Sequence, residues 1–338
     1  MRVVAGEPPT RLRRIAPALT GAAVAIALAT AAGSAAGGET ETGSRSKPPT
    51  GADLRAATEH FLNTTDAPSP GSVRRSTPAR RRGPAAAPIF PTNRVVSFYG
   101  APQLPATIVG RKTPDAAASK LLSQAAAYAG AERRPVIPAF DLIAVIATSS
   151  RGADRKYRFR QDDFVISTYL AQAREIGARL MLDIQPGRAN VVAEVRALEP
   201  WLVQPDVNVS IDPEWNVGRR GVPGRTQGSI RARKVNRVSD RLQDLIDANS
   251  LPPKLLVVHQ FRKRSVRKRR RIKQRPDVGV TLNFDGIGKP PAKKAGYVDL
   301  SSAKLFNGFS LFYRLDRKRM MPPAVLRLEP EADFVLYQ

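Results

Sequence analysis

The sequence predicts a single α/β domain, a (β/α)8 TIM barrel that spans residues 94–338. Eight β-rich runs follow one another along this part of the chain, and segments with helix start and stop signals separate them. Strands that alternate with crossover segments form right-handed βαβ units and a parallel sheet. Eight strands within residues 94–338 match the ~250 residues of a closed barrel, and the strand count distinguishes it from a doubly wound sheet.

The predicted strands are short runs rich in β-branched and aromatic residues. They are Val95–Tyr99, Val136–Ile146, Leu180–Gln185, Val207–Asp212, Leu255–Phe261, Val278–Asp285, Phe309–Tyr313 and Phe334–Tyr337.

Helix signals lie between these runs. Thr113 is expected to cap a helix that Gly130 ends, and Asn190 is expected to cap another. Residues 162–176 carry apolar side chains at helical spacing. The later crossovers are shorter, and no helix is expected after strand eight.

The N-terminus has the pattern of an export signal. Arginines precede an uncharged, small-apolar run, Ile15–Ala36, that ends in small residues. We expect residues 1–36 to be a signal peptide cleaved after Ala36, and the protein to be secreted or associated with the cell envelope. Membrane anchoring through residues 15–36 is the alternative, because this run approaches the ~20 residues that span a bilayer.

Residues 37–93 are rich in Pro, Gly, Ser and Arg, which predicts a flexible linker. Within it, Ala52–Leu62 has apolar residues at helical spacing. We expect this short amphipathic helix to fold back and cover the gap beside strand eight.

The charge of the chain indicates an anionic partner. Its 55 Lys and Arg outnumber 29 Asp and Glu, which gives a net charge of +26. Ten of the fourteen residues from Arg262 to Arg275 are basic. No aromatic residues are interleaved for base stacking, so an anionic cell-envelope polymer or a membrane surface is favoured over nucleic acid. A solvated outer face is the alternative.

Two residue counts exclude classes of chemistry. The chain has no cysteine, which excludes disulfides, thiol catalysis and lipid attachment through cysteine. With only His60 and His259, sites that need several histidines for a metal are also excluded. We therefore expect neither a metal nor another cofactor.

Polar residues gather at the predicted C-terminal ends of the strands, where a barrel keeps its chemistry. Each of these runs starts apolar and turns polar. The candidate site residues are Tyr99, Asp183, Gln185, Asp212, Glu214, Trp215, His259, Gln260, Asn283, Asp285 and Tyr313.

Asp212 and Glu214 are the strongest candidates for catalysis. In a strand, residues two apart share a face, and two adjacent buried carboxylates raise one pKa and supply an acid at neutral pH. Asp183 could instead cap the following turn, and His259 could be a buried core histidine. Asp141 stays undecided, because strand two could end before or after it.

The Asp212-Pro213-Glu214 segment resembles the Asp-x-Glu signature of the chitinase-like (family 18) glycoside hydrolases, and it is similar to that of the family 25 muramidases. The chitinase resemblance implies that Glu214 donates a proton while Asp212 positions the substrate. Asn283-Phe284-Asp285 looks like the strand-six ending of that family. Ser210 departs from the chitinase pattern, which has an Asp there.

A broader likeness covers most of Arg94–Gln338. Asp212–Trp215, Val257–Phe261 and Phe334–Gln338 resemble segments of an uncharacterised family of exported proteins from high-GC Gram-positive bacteria. The resemblance implies export and a barrel, without an assigned reaction.

The sequence thus favours a glycoside hydrolase of cell-wall or extracellular polysaccharide, with Glu214 as general acid, Asp212 as its orienting partner and Asp285 or Asp183 as the third polar group. In this interpretation Trp215 and Tyr313 stack on sugar rings, although both could instead be packing residues. A non-catalytic carbohydrate-binding barrel is the first alternative. A one-metal hydrolase that uses Asp183, Asp212, Glu214 and His259 is the second.

Overall fold

The computed structural model describes residues 49–64 and 87–338. The predicted signal sequence, residues 1–36, and linker residues 37–48 and 65–86 lie outside the described residues. Among the helices in the two described ranges, none has the length and hydropathy needed to span a membrane.

Eight parallel strands form a closed barrel, which confirms the predicted (β/α)8 fold. The ring closes because β1 pairs with both neighbours, so that Val95 lies opposite Ile137 on one side and Phe334 on the other. The strands are β1 (Arg94–Gly100), β2 (Val136–Ala147), β3 (Arg179–Ile184), β4 (Val207–Ile211), β5 (Lys254–Gln260), β6 (Val278–Phe284), β7 (Phe306–Leu311) and β8 (Phe334–Tyr337).

The helices lie on the outside of the barrel, except for α1. Thr113, Asp162 and Asn190 each accept a hydrogen bond from a backbone N–H of the helix that follows, as N-cap residues do. The helices are α1 (Gly51–Thr64), α2 (Pro114–Ala129), α3 (Asp163–Glu175), α4 (Val191–Ala197), α5 (Glu199–Leu202), α6 (Ala232–Asn249), α7 (Pro290–Leu300) and α8 (Pro322–Leu326).

The crossover between β5 and β6, which the structure describes throughout, has no α-helix. It contains a two-residue strand, Val266–Arg267, which pairs with Ile230–Arg231 from the crossover before α6. A 3-10 turn, Arg269–Arg271, follows. This crossover therefore lies against its neighbour at the C-terminal side of the barrel.

Apolar side chains fill both sides of the barrel wall, as alternation along each strand requires. Val96 and Phe98 face outward beneath the helices, whereas Val95 faces the interior. Phe90 closes the N-terminal end, where its ring centroid lies 5.2 Å from that of Phe306, the first residue of β7. Apolar side chains therefore fill the N-terminal end of the interior, and the same cluster extends to the buried Leu54 of α1.

Helix α1 lies at the C-terminal end of the barrel. The backbone N–H of Gly51 donates to Ser150 Oγ at 3.0 Å, just beyond β2. Thr58 Oγ1 accepts a 2.7 Å hydrogen bond from Gln103, just beyond β1. The predicted helix is present, but the expectation that it covers the gap beside β8 is wrong.

Aromatic side chains from α2 and from the loop after β7 fill that gap instead. The hydroxyls of Tyr128 and Tyr337 are 2.9 Å apart, and the ring of Tyr313 lies 5.4 Å from that of Tyr337. Phe98 of β1 packs edge to face with Tyr337 of β8. Large rings from neighbouring elements make a further helix unnecessary here.

A buried ion pair joins α7 to the loop after β7. Lys293 Nζ donates to Asp316 Oδ2 at 2.5 Å and to the carbonyl oxygen of Ser310 at 2.7 Å. Each of the two charged side chains is only 1% exposed. The pair thereby fixes the backbone of β7 at the point where Ser310 faces the interior.

Candidate active site

Inward-facing polar side chains from seven strands meet at the C-terminal end of the barrel. Alternation along each strand places them there, because every second residue faces the interior. They are Ser97 and Tyr99 from β1, Asp141 from β2, Asp183 from β3, Ser210 from β4, His259 from β5, Asn283 from β6 and Ser310 from β7, with Gln185 just beyond β3.

His259 occupies the centre of this group and is 2% exposed. Its Nδ1 lies 2.6 Å from Asp285 Oδ2, and its Nε2 lies 3.8 Å from both Asp141 Oδ2 and Asp183 Oδ1. Burial lowers the pKa of His259, but Asp285, followed by Asp183 and Asp141, raises it well above its ordinary value. The imidazole is therefore held as a cation among three carboxyl groups.

Asp183 and Tyr99 form the second part of the interior. The Tyr99 hydroxyl donates to Asp183 Oδ2 at 3.2 Å and accepts a 3.0 Å hydrogen bond from Gln185 Nε2. Gln185 is itself fixed, because its Oε1 accepts the backbone N–H of Ala147. Burial raises the pKa of Tyr99 and that of Asp183 well above their ordinary values, and a nearby Asp141 adds to the effect on Asp183.

Asn283 orients Asp285. Its Nδ2 donates to Asp285 Oδ1 at 2.9 Å and to Ser310 Oγ at 2.8 Å, and Ser310 Oγ also contacts Asp285 Oδ1. Gly308 gives Asn283 its space, because a Cβ at residue 308 would lie 2.5 Å from Asn283 Oδ1. The Asp285 carboxylate is thus held from two sides, by this amide and by His259.

Asp212 and Glu214 lie at the rim and keep part of their surface open to solvent. Strand β4 ends at Ile211, and Asp212 Oδ1 accepts the backbone N–H of Glu214 at 3.1 Å to start a 3-10 turn. The expectation that the two residues share a strand face is therefore wrong, since Glu214 lies on a turn. The turn nevertheless keeps both carboxyl groups together.

The pKa values of Asp212 and Glu214 differ from each other. Burial raises the pKa of Asp212 to about 6, an effect that His259 opposes. Burial, with Asp212 and Asp285 adding to it, raises the pKa of Glu214 to about 9. At pH 7 Asp212 is mostly ionised and Glu214 is protonated, which is the division of states that acid–base chemistry needs.

Two predicted site residues point away from the interior. Gln260 faces outward, where its Nε2 donates to the carbonyl oxygen of Leu300 at 2.7 Å. Tyr313 lies beyond the end of β7 on the helix side, and its hydroxyl donates to Gln124 at 3.0 Å. Both follow from alternation, because Gln260 is adjacent to the inward-facing His259 and β7 presents Ser310 to the interior.

The structure places Trp215 behind the rim rather than across the mouth. Its side chain is 7% exposed and hydrogen-bonds to Asp212, which lowers the pKa of that carboxyl. A ring so covered has no open face for a sugar, so the stacking surface expected from Trp215 is not formed. Its contact instead holds Asp212 in place.

Asp141 and Ser310 belong to the interior, although the sequence left the first undecided and missed the second. Asp141 is fully buried and accepts a 3.0 Å hydrogen bond from Ser210 Oγ. Burial raises the pKa of Asp141 to about 7, although His259 opposes this rise. The available signal for Ser310 was the Gly308-Phe309-Ser310 pattern, in which small and large residues alternate.

Several polar atoms of the interior have no hydrogen-bond partner among the described residues. Such atoms cost about 1–3 kcal/mol each when buried, so they favour a ligand that supplies partners. They are Ser97 Oγ, Asp141 Oδ1, Asp183 Oδ1, His259 Nε2 and Asn283 Oδ1.

The arrangement suits a polar organic ligand. Over residues 49–64 and 87–338, no group of three or more His, Asp or Glu residues is arranged to hold a metal ion. His259 Nδ1 is already engaged by Asp285. The alternative of a one-metal hydrolase therefore gains no support from this part of the chain.

At pH 8 the Asp183→Asn variant is expected to gain about 1–2 kcal/mol of unfolding free energy over the wild type. Its melting temperature should rise accordingly. Burial raises the pKa of Asp183 in the native state, whereas in the unfolded chain its pKa is about 4. Above pH 4 the unfolded state therefore ionises more readily than the native state, and the native state loses stability as the pH rises. The amide keeps the acceptor for Tyr99 without a charge. Melting curves at pH 5 and pH 8 test this, since the difference should shrink at pH 5.

Asp244→Asn, which changes an exposed carboxylate on α6, is the matched control and should leave both curves unchanged. A lower melting temperature for Asp183→Asn at pH 8 would show that the charge stabilises the fold.

Comparison with known proteins places the chain in no family. No protein-family model matches the sequence, and no curated protein matches it significantly.

Proposed function

We propose that this barrel is a glycoside hydrolase that acts on a cell-wall or other extracellular polysaccharide. The proposal is supported by the different protonation states of two neighbouring carboxyl groups at pH 7. Glu214 has a pKa of about 9 and is protonated, whereas Asp212 has a pKa of about 6 and is mostly ionised. Cleavage of a glycosidic bond commonly uses one carboxylic acid and one carboxylate on either side of the bond.

In the proposed reaction, Glu214 donates its proton to the glycosidic oxygen, so that the leaving sugar departs with a hydroxyl group. Asp212 stabilises the positive charge that develops on the sugar ring at the cleaved bond. Water then bonds to the anomeric carbon and gives up one proton, which returns to the Glu214 carboxylate and restores the acid. Asp285 supplies the third carboxyl group, and its contacts with His259 and Asn283 at 2.6 and 2.9 Å fix its orientation.

The interior residues support the proposal as a binding site for sugar hydroxyls. His259, Asn283 and Asp183 offer unpartnered donor and acceptor atoms. Tyr99 and Gln185 hold Asp183 in place through their hydrogen bonds. Hydroxyl groups are both donors and acceptors, so one sugar ring could satisfy several of the unpartnered atoms.

A location outside the cytoplasm belongs to the same proposal. It is supported by the signal-like pattern of residues 1–36 and by the net charge of +26, which suits an anionic cell-envelope polymer as partner. Nucleic acid is not expected as a partner.

The proposal is tested by incubating the purified protein with cell-wall glycans and measuring released reducing ends, together with binding of the same glycans by co-sedimentation. Release by the wild type, and none by Glu214→Gln, supports a hydrolase. Binding without release supports the alternative of a non-catalytic carbohydrate-binding barrel. If the protein neither binds nor cleaves any glycan, both proposals are wrong.

The pH dependence of kcat/KM is expected to be bell-shaped, with an acid limb near pH 6 and an alkaline limb near pH 9. Activity should fall below pH 6 because Asp212 becomes protonated, and above pH 9 because Glu214 loses the proton that it donates. The two limbs belong to the interacting pair as a whole. Initial rates measured from pH 4 to pH 10 test this; a rate that keeps rising to pH 10 would contradict a general acid.

A further inference from the structure

We infer that the substrate of this site is an anionic glycan, and that its phosphate or carboxylate groups bind a basic cleft next to Glu214. The inference rests on the proposed hydrolase function and specifies its substrate class. The basic cleft has a volume of about 630 Å³, and it is lined by Lys263, Val266, Lys268, Arg269, Arg270, Arg271 and Asp299.

The backbone of the basic cleft is firmly held. Val266 is 1% exposed and pairs with Ile230, and Ser265 beside it is equally buried. Arg269 donates to the carbonyl oxygens of Asp299 and Leu300, each at 2.9 Å. The basic side chains therefore extend from a fixed backbone. A solvated outer face, the alternative interpretation of this basic segment, needs no fixed backbone.

Most of these charges have no acidic partner. Lys263 pairs with Asp299 at 2.6 Å. Within the described chain, no acidic side chain pairs with Lys268, Arg270 or Arg271, all of which are exposed. Unpaired like charges repel one another, so their concentration here favours an anionic ligand that relieves the repulsion.

Positive charge continues from the basic cleft onto α6. Arg231 lies opposite Arg267 in the two-residue strand pair. Burial, followed by the charges of Arg233 and Arg237, lowers the pKa of Lys234 in the first turns of α6. The cationic surface is therefore longer than the cleft itself, which suits a polymer better than a single small ion.

The basic cleft is joined directly to the turn that carries the proposed general acid. The backbone N–H of Gly228 donates to the carbonyl oxygen of Glu214 at 2.6 Å, and Ile230 N–H donates to that of Ser265 at 2.9 Å. Arg262, the first residue of the basic run, lowers the pKa of Glu214 and so lies within electrostatic reach of it. The cleft and the turn that carries Glu214 therefore belong to one hydrogen-bonded set of loops.

The ligand chemistry follows from the side chains. Guanidinium groups bind phosphate and carboxylate groups through paired hydrogen bonds, which neutral sugars cannot accept in the same way. No aromatic residue lines the basic cleft, so nucleic-acid bases would find no stacking surface there. A glycan that carries phosphodiester or uronic acid groups fits both observations.

The test measures binding to the full chain with the Glu214→Gln substitution, so that no probe is consumed. The probes are poly(glycerol phosphate), polygalacturonate, neutral dextran and single-stranded DNA. The cleft variant is Lys268→Gln/Arg270→Gln/Arg271→Gln, which removes three exposed charges from the lining. The matched control is Arg314→Gln/Arg317→Gln/Lys318→Gln, which removes three exposed charges from the loop after β7.

At low ionic strength the cleft variant should bind its anionic glycan about 10- to 100-fold more weakly, whereas the control should change by less than about threefold. The phosphate and carboxylate probes identify which anionic group is preferred. The single variant Arg270→Gln, at an exposed position, should give a smaller loss in the same direction if the triple variant does not fold.

Equal losses in the cleft variant and the control would overturn the inference, because net charge alone would then explain binding. Tighter binding of single-stranded DNA than of either anionic glycan would also overturn it. The proposed hydrolase function is judged separately: if the wild type cleaves no glycan, that function fails while the binding result stands. Cleavage of the anionic glycan with an unchanged KM in the cleft variant would overturn only the present inference.

Discussion

The Glu214→Gln variant is expected to hydrolyse polysaccharide about 10²- to 10⁴-fold more slowly than the wild type, the range that loss of general acid catalysis usually gives. The amide keeps the size of the side chain but cannot donate a proton to the glycosidic oxygen. Because Glu214 is already uncharged at neutral pH, the substitution changes little in the electrostatics of the rim. Glycan binding should therefore persist, and kcat should fall rather than KM rise.

The leaving group distinguishes an acid from other roles. The dinitrophenolate of a dinitrophenyl glycoside leaves without being protonated. Glu214→Gln should therefore cleave this substrate at close to the wild-type rate if the first step limits turnover. Glu329→Gln, which alters an exposed carboxylate before β8, is the matched control and should match the wild type on both substrates. Equal losses on both substrates would assign Glu214 another role.

The Lys293→Met variant is expected to lose about 3–5 kcal/mol of unfolding free energy. Met fills a similar volume, but it leaves the Asp316 carboxylate buried at 1% exposure without its cation. Backbone donors from Gly288 and Phe312 remain at 3.2 and 2.9 Å, and they do not neutralise the charge. Equilibrium denaturation in urea measures the loss.

The double variant Lys293→Met/Asp316→Asn should recover part of this stability, because the amide side chain at position 316 would keep an acceptor for the backbone donors without a buried charge. Lys294→Met, one residue along α7 and exposed, is the control and should change the free energy by less than about 0.5 kcal/mol. If Lys293→Met costs no more than Lys294→Met, the ion pair does not stabilise the fold.

The fold could be predicted because it depends on repeated local signals. Caps such as Thr113 and Asn190 and the eight apolar runs are each readable without knowledge of the rest of the chain. The closure of the ring followed from the number of strands. The position of α1 could not be predicted, because it depends on contacts such as Thr58 with Gln103 between segments distant in sequence.

The site was predicted where strand alternation alone decides the direction of a side chain. Asp183, His259 and Asn283 face the interior for this reason. The prediction failed for Gln260, which alternation turns outward beside His259, and for Tyr313, which lies beyond the end of β7 at Leu311. The ends of strands depend on pairing with neighbours, which one sequence does not reveal.

The unpartnered interior atoms provide a way to detect ligand binding through the stability of the barrel. A molecule whose hydroxyl groups reach His259 Nε2, Asp141 Oδ1 and Asp183 Oδ1 would bind only the native chain and raise its melting temperature by mass action. Libraries of sugars can therefore be ranked by thermal-shift measurements in plates, before any reaction product has been identified.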